Sequence, residues 1–433
     1  MSDPLIGVAG FAVSLLLVAL RVPIALAMAV TGVVGFGIIN GFSTIGFILG
    51  AGPFESMFPY SLSVIPLFLL MGVFASHSRM SSDLFGAANA LVGHLRGGLA
   101  IASIGACAGF GAICGSSLAT VATMGRVALP EMRRAGYDDQ LSASSIAAAG
   151  TLGVLIPPSI LLVIYGLLTE QSIGRLFSAA IVPGLVATGL YCLAVMLAVR
   201  LRPDLVRVSR RRPWAERLPE IRSAWPAALL FIAVIGGIQV GLFSPTEAAA
   251  VGAGGAILIA AIRRVLTRHV VASAMWETVS MTGMIFFIMV GAGLFNYFIE
   301  TTGLPQFLIG LIEASALPPL AVLFLIMLFY ILLGCFMDAL SMILLTVPFI
   351  YPVIVAMGFD PIWFGILIVT VAELGLITPP IGMNLFVIQG IAPDIPTSKI
   401  VRGMVPFLFA DCVRLVILIA FPGLVLWLPG VFF

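Results

Sequence analysis

A constant offset of 222 residues carries Pro157-Pro158 onto Pro379-Pro380, and this repeated double proline limits the possible folds more than any other feature of the chain. The same offset carries Pro23 onto Pro245, Gly32 onto Gly254, Pro130 onto Pro352, Gly136 onto Gly358 and Gly153 onto Gly375. A Gly-x-Asp triplet is shared as well, Gly136-Tyr137-Asp138 with Gly358-Phe359-Asp360. One or two such matches arise by chance in an apolar chain; the whole set points to an internal duplication. Each Pro-Pro pair falls inside an apolar stretch, 139–168 or 361–391, where proline removes an amide donor and interrupts a helix. Non-helical backbone at membrane depth is tolerated only where it is buried in protein or lines a cavity.

That these stretches lie in lipid follows from composition. Of 433 residues, 61% are hydrophobic and 9% charged, whereas soluble domains carry about 25% charged residues. A water-soluble enzyme, a disordered chain and a nucleic-acid binder are thereby excluded. Apolar stretches fall at 5–20, 24–40, 61–77, 98–130, 139–168, 176–199, 225–242, 247–262, 279–298, 319–357, 361–391 and 404–429. At about 20 residues per crossing they predict ten to twelve membrane segments. Two of them, 98–130 and 319–357, are long for one crossing and are interrupted by Gly109–Ser117 and Gly334–Asp338 respectively. Each suits a re-entrant helical hairpin with its tip near mid-membrane. The more polar segments 81–96 and 301–315 precede the hairpins and fit helices lying along the interface.

The predicted fold is therefore an all-α polytopic membrane protein. It divides into a first repeat, 1–199, an Arg-rich linker, 200–224, and a second repeat, 225–433. Five single cysteines and three scattered histidines form no disulfide framework or zinc motif. The N-terminus lacks a basic region and cleavage site, so 5–20 is expected to be a retained helix.

The basic residues give the orientation, because short arginine-rich loops stay cytoplasmic. The connector holds Arg200, Arg202, Arg207, Arg210, Arg211, Arg212, Arg217 and Arg222. Counting crossings back from it puts Arg133-Arg134, Arg96, Arg79 and Arg21 inside and the N-terminus outside, in the periplasm. Counting forward puts the Pro245 turn outside, Arg263, Arg264 and Arg268 inside, and the Gly358 loop outside, with Lys399 and Arg402 inside again. The two hairpins then enter from opposite faces, and the halves are inverted copies.

Inverted repeats with paired hairpins and broken helices describe a secondary transporter, whose substrate and ion sites lie at the midplane where helix halves end. Exposed amides there attract carboxylates, and carbonyls and hydroxyls replace water around Na⁺. In the first half the candidate ion cage is the tip Gly115, Ser116, Ser117 with Thr120, facing the break at Gly153 and Pro157. In the second it is Gly334 to Asp338 facing Gly375, Thr378, Pro379 and Met383. The offset places Ser116 on Asp338, a costly intramembrane carboxylate. Candidate substrate contacts are Ser116, Ser159, Thr378 and Asn384. The competing reading, that the small residues merely allow close helix packing, stays open. Glu247 after Ser244-Pro245-Thr246 reads as a helix cap. Glu373 fits a pocket role or a structural salt bridge equally, Arg126 either faces an anion or snorkels to the cytoplasm, and Asp411 pairs with Arg414. No GxxxxGK[ST] motif is present, so ATP binding at such a loop is excluded.

The runs GAICGSSLATVATMG (Gly111–Gly125), LPEMRRAGYD (Leu129–Asp138), AAAGTLGVLIPPS (Ala147–Ser159), PTEAAAVGA (Pro245–Ala253) and ELGLITPPIGMNLFVI (Glu373–Ile388) together resemble the large membrane subunit of tripartite ATP-independent periplasmic (TRAP) transporters, the DctM-like permeases. The resemblance spans almost the whole chain. It implies an elevator-type importer of organic acids in the bacterial inner membrane, with Na⁺ as coupling ion and no other cofactor. It also implies two partners, a small four-helix membrane subunit and a periplasmic substrate-binding protein, and maps the sodium sites onto the two tip-and-break constellations. As the chain begins almost at the first shared helix, the small subunit is expected to be a separate polypeptide. The runner-up is a stand-alone divalent-anion/sodium symporter. A channel would need a continuous polar pore, and an intramembrane enzyme a nucleophile–base or metal constellation; neither is visible.

Overall fold

The computed structural model describes residues 3–207, 212–315, 317–379 and 382–433, with the side chains of Ala51 and Glu55 excepted. Arg210, Arg211, Pro380 and Ile381 lie outside the described residues. Every described regular element is helical. Six helices are individually long and apolar enough to cross a membrane, and eight if each bent pair is one crossing. That is fewer than the ten to twelve expected, because much of the apolar sequence goes into helices of 10–17 residues, including Gly98–Cys114, Pro319–Gly334 and Pro361–Ile377.

Each hairpin is two helices closed by a short tip: Gly98–Cys114 with Ser117–Arg134, and Pro319–Gly334 with Ala339–Ala356. The broken helices are Asp139–Leu155 with Ile160–Leu168, bent by 41°, and Pro361–Ile377 with Met383–Ile391. The bounds of Ser117–Arg134 and Ala339–Ala356 differ by 222 residues at both ends, as do those of Asp139–Leu155 and Pro361–Ile377. The turns between them follow the same chemistry. Gly136 and Gly358 take φ of 76° and 79°, a region open to glycine. Asp138 accepts from the Gln140 amide at 2.7 Å and Asp360 from the Ile362 amide at 2.8 Å, so each caps the next helix.

Around these elements, Ile24–Asn40 packs on the 35-residue helix Arg268–Thr302, and Val64–His77 packs on Pro245–Ile262. Three departures from the sequence reading stand out. Helix Ile45–Met57 occupies a segment not assigned to any apolar stretch, its signal weakened by three internal glycines and Pro53. The stretch 404–429 is two helices, Thr397–Ala420 and Gly423–Phe432, parted at Phe421-Pro422. The linker is not simply a loop, since Trp214–Ser223 is helical and packs on Met80–Val92. There Arg217 is buried, stacks on Trp214 at 4.3 Å, and donates to the carbonyls of Ala90 and Leu91.

Several charges at the connecting turns are paired. Arg263 meets Asp83 at 2.5 Å, and Lys399 meets Asp138 at 3.0 Å. Arg133 bridges Asp139 and Asp394 at 2.7 and 2.6 Å. Its hydrogen bond holds the exposed Asp394 carboxyl below the usual carboxylate range. A lowered pKa stabilises the fold above the unfolded value and is lost as pH falls through the folded one, so this tie is intact at neutral pH. Glu247 is a cap, as expected: it accepts from the Ser244 amide at 2.8 Å while its own amide donates to Ser244 Oγ at 3.3 Å. Ser244→Ala is expected to cost about 1 kcal/mol, read as a small fall in the melting temperature of the purified protein.

Candidate functional site

At the first tip the chain leaves Cys114 through Gly115, at φ 66°, and Ser116 caps the next helix by accepting from the Ala119 amide at 3.4 Å. Thr120 Oγ1 donates to the Ser116 carbonyl at 2.7 Å. Asp338 does the same work at the second tip: Ser341 donates to it from its amide at 3.0 Å and from Oγ at 2.6 Å. Ser116 and Asp338 thus cap their helices at positions related by the offset. The capping role gives Asp338 a structural function beside any ionic one.

Each tip is held against its break by backbone contact. Gly111 lies so close to Gly153 that a Cβ there would collide with its backbone, and a Cβ on Gly375 would come within 2.6 Å of Gly334 Cα. Only glycine permits such approaches. Beyond the first break Ser159 caps Ile160–Leu168, accepting from the Leu162 amide at 3.3 Å; Pro157 and Pro158 precede it, joined by a cis bond. At the second, Thr378 donates to the Leu374 carbonyl at 2.5 Å and Gly382, at φ 57°, starts the next helix.

The two constellations meet in one cavity of about 320 Å³. Gly115, Ser116 and Ser117 reach it from the first tip, Asp338 and Ala339 from the second, and Val154, Ile160, Leu376 and Met383 from the breaks. Met281, Met284, Ile285 and Ile288 of Arg268–Thr302 close it. Its volume is within the range of small-molecule sites, roughly 300–1,000 Å³. Thr120, Gly153, Pro157, Ser159, Gly334, Gly375, Thr378 and Pro379 stand behind this wall rather than on it. Asn384 also lies outside it, fully buried, with Nδ2 donating to the Ala147 carbonyl of the first broken helix at 3.1 Å. It ties the two broken helices together. The long helix was missed as a cavity wall from sequence, for an apolar face in lipid carries no signal of what it covers.

Behind the cavity is a fully buried polar network. Arg414 lies 3.4 Å from Glu373 and 3.1 Å from Asp411. Tyr191 donates to Asp411 at 2.8 Å, and Thr151 Oγ1 lies 3.1 Å from the Tyr191 hydroxyl. The Asp411–Arg414 pair was expected, and Glu373 takes the salt-bridge role. Tyr191, which extends the network to the first broken helix, was not singled out. Among the described residues no group of three or more His, Cys, Asp or Glu side chains could hold a metal.

The family model described as "Tripartite ATP-independent periplasmic transporter, DctM component" matches residues 11–424. The C4-dicarboxylate TRAP transporter large permease protein DctM of Pseudomonas aeruginosa is 38% identical over 380 residues, covering 87% of this chain and 88% of that protein. The ectoine/5-hydroxyectoine TRAP transporter large permease protein of Ruegeria pomeroyi is 37% identical, covering 87% of each. Among solved structures, the YdaH transporter of Alcanivorax borkumensis superposes with a TM-score of 0.66 at 16% identity, covering 89% of each chain, a likeness of fold.

Proposed function

We propose, from the premise that the chain belongs to the DctM component family of tripartite ATP-independent periplasmic transporters, that it carries small carboxylates inward together with Na⁺ by an elevator motion. As a transporter component it is not an enzyme. The observation that carries the reading is the single cavity into which both hairpin tips and both helix breaks converge. The proposed substrates are a C4-dicarboxylate, sialic acid or similar organic acids, delivered by a periplasmic binding protein to a complex of this chain with a small four-helix membrane subunit. The halves are proposed to be inverted in a bacterial inner membrane, N-terminus outward and 200–222 in the cytoplasm, as the arginines indicate.

The chemistry follows from the local structure. Ser116 and Asp338 stand at helix N-termini, where amides and the helix dipole favour negative charge. Hydroxyls and carbonyls around the tips and breaks, with the Asp338 carboxylate, supply oxygen ligands that suit Na⁺. Sodium entering with the anion offsets its charge, so neither crosses the apolar cavity alone. Each inward positive charge gains about 2.3 kcal/mol per 100 mV; two Na⁺ balance a dicarboxylate, and a third ion or a monocarboxylate makes the cycle electrogenic.

The test is succinate uptake into proteoliposomes holding this chain and its small subunit, with a binding protein outside. Uptake is expected to require both inward sodium and the binding protein. An equal rate with potassium in place of sodium would overturn sodium coupling. An equal rate without the binding protein would restore the stand-alone symporter, which the family membership argues against. Asp338→Asn keeps a capping side chain and removes the charge, so it is expected to raise the sodium needed for half-maximal uptake about tenfold, ~1.4 kcal/mol. Unchanged sodium activation would remove Asp338 from the ion site. Bulkier apolar replacements at Ser116 and Thr378 are expected to act in the same direction.

A further inference from the structure

A second, more polar cavity of about 530 Å³ lies between the first hairpin and the helices Val64–His77 and Arg268–Thr302. Arg126 of the hairpin and Glu277 of the long helix both line it, with His77 and Arg79. The Arg126 Nε donates to the Ala122 carbonyl of its own helix at 3.1 Å, and among the described residues no carboxylate pairs with this guanidinium. Glu277 likewise has no ion-pair partner among them, although it stands nine residues past Arg268, about 13 Å along the helix. Arg133, Arg134, Arg263 and Lys399 are all paired with carboxylates. Arg126 and Glu277 are thus exposed charges that line a cavity without an ion-pair partner among the described residues, and charged groups on spanning helices that face a cavity mark a pathway for polar solutes.

Two further observations give the cavity its ligand. Ser116 and Met281 line both this cavity and the central one, so a solute passing the first tip enters the space that Arg126 faces. A larger cavity, about 910 Å³, lies at the other hairpin, which borders it through Leu344 and Pro348. The 222-residue offset matches these to Ala122 and Arg126. Among the described residues the walls there hold Glu170 and no basic side chain. Glu277 itself has a counterpart at the offset, Glu55, whereas the arginine does not. Of these duplicated positions, Arg126 is thus matched by the neutral Pro348, and among the described residues basic side chains line the cavity beside the first hairpin and not the one beside the second.

We propose that the cavity beside the first hairpin is a second carboxylate site, in which Arg126 receives the substrate's carboxylate as it leaves the hairpin tips. The proposal rests on reading the chain as a carboxylate carrier. A guanidinium offers a carboxylate two parallel hydrogen bonds. Glu277 keeps the site from holding an anion too tightly, since passage requires binding weak enough to release. The arginine-derived topology puts this cavity on the cytoplasmic side, so the site serves exit.

The test uses the full chain with its small subunit in liposomes. Ala122→Cys, one helical turn from Arg126, serves as reporter after the five native cysteines are replaced, with Ser273→Cys as a second reporter should the first fail to fold. Its modification by an anionic sulfonatoethyl and a cationic trimethylammonioethyl methanethiosulfonate is timed. Arg126→Gln is expected to lower the anionic-to-cationic rate ratio at least about tenfold and Glu277→Gln to raise it. Arg126→Lys, keeping the charge, is expected to leave it within about twofold. Succinate is expected to slow modification when Arg126 is present and not in Arg126→Gln, and sulfate at the same concentration to protect less. An unchanged ratio in Arg126→Gln, or equal protection by sulfate and succinate, overturns the proposal. A carrier that shows the ratio shift and succinate protection yet no succinate uptake would count against the transport reading alone.

Discussion

Arg414→Leu is expected to be among the most damaging single substitutions in this protein. It removes the only cation from a fully buried set in which Glu373 and Asp411 lie within 3.4 Å of the guanidinium. Breaking a buried pair by deleting one partner costs about 3–5 kcal/mol, because the charge left behind has no water to turn to. Two carboxylates would be left here. The checking measurement is thermal unfolding of the detergent-purified chain, expected to show a strongly lowered transition and poor recovery. Combining it with Glu373→Gln and Asp411→Asn, which remove the stranded charges and leave Tyr191 a hydrogen-bond acceptor, is expected to recover most of that loss. If Arg414→Leu alone melts like the parent, the network does not hold the broken helices together.

The second large effect is on transport rather than stability. Ser76 Oγ of helix Val64–His77 lies 3.2 Å from Thr123 Oγ1 of the first hairpin, so cysteines at both positions are close enough to bridge. If the hairpins and broken helices move as a body against the surrounding helices, oxidised Ser76→Cys/Thr123→Cys is expected to lose uptake by more than about tenfold, and reduction to restore it. Each single variant controls for the lost hydroxyl. A cross-linked protein transporting at the full rate would rule out motion at this boundary.

These expectations draw on features of unequal legibility. The hairpins and the breaks were readable because proline, glycine and aspartate act locally. Gly136 and Gly358 turn the chain, Asp138 and Asp360 start the next helix, and Pro157 interrupts it. The tip residues were readable through the offset, which set Ser116 against Asp338 before either was seen to cap a helix. What was not readable depends on partners remote in sequence. Asn384 has the spacing of a cavity residue, yet its amide meets Ala147 of the other broken helix. Arg217 looked like one more arginine of the connector, yet it is buried against the carbonyls of Ala90 and Leu91. Glu277 was readable in principle, since Glu55 precedes it by the same offset; its position inside a long apolar helix hid it.

The glycine contacts between hairpin limbs and broken helices have a mechanical consequence. Where Gly111 meets Gly153 and Gly334 meets Gly375, backbone lies on backbone with no side chain between to yield or rotate. Such a joint behaves as a weld and not as a hinge. A tip cannot swing away from its break to admit or release an ion unless the backbone contact is torn open. If the hairpins and broken helices move as proposed, the side of the cavity left to open is the one lined by Met281, Met284, Ile285 and Ile288 of Arg268–Thr302.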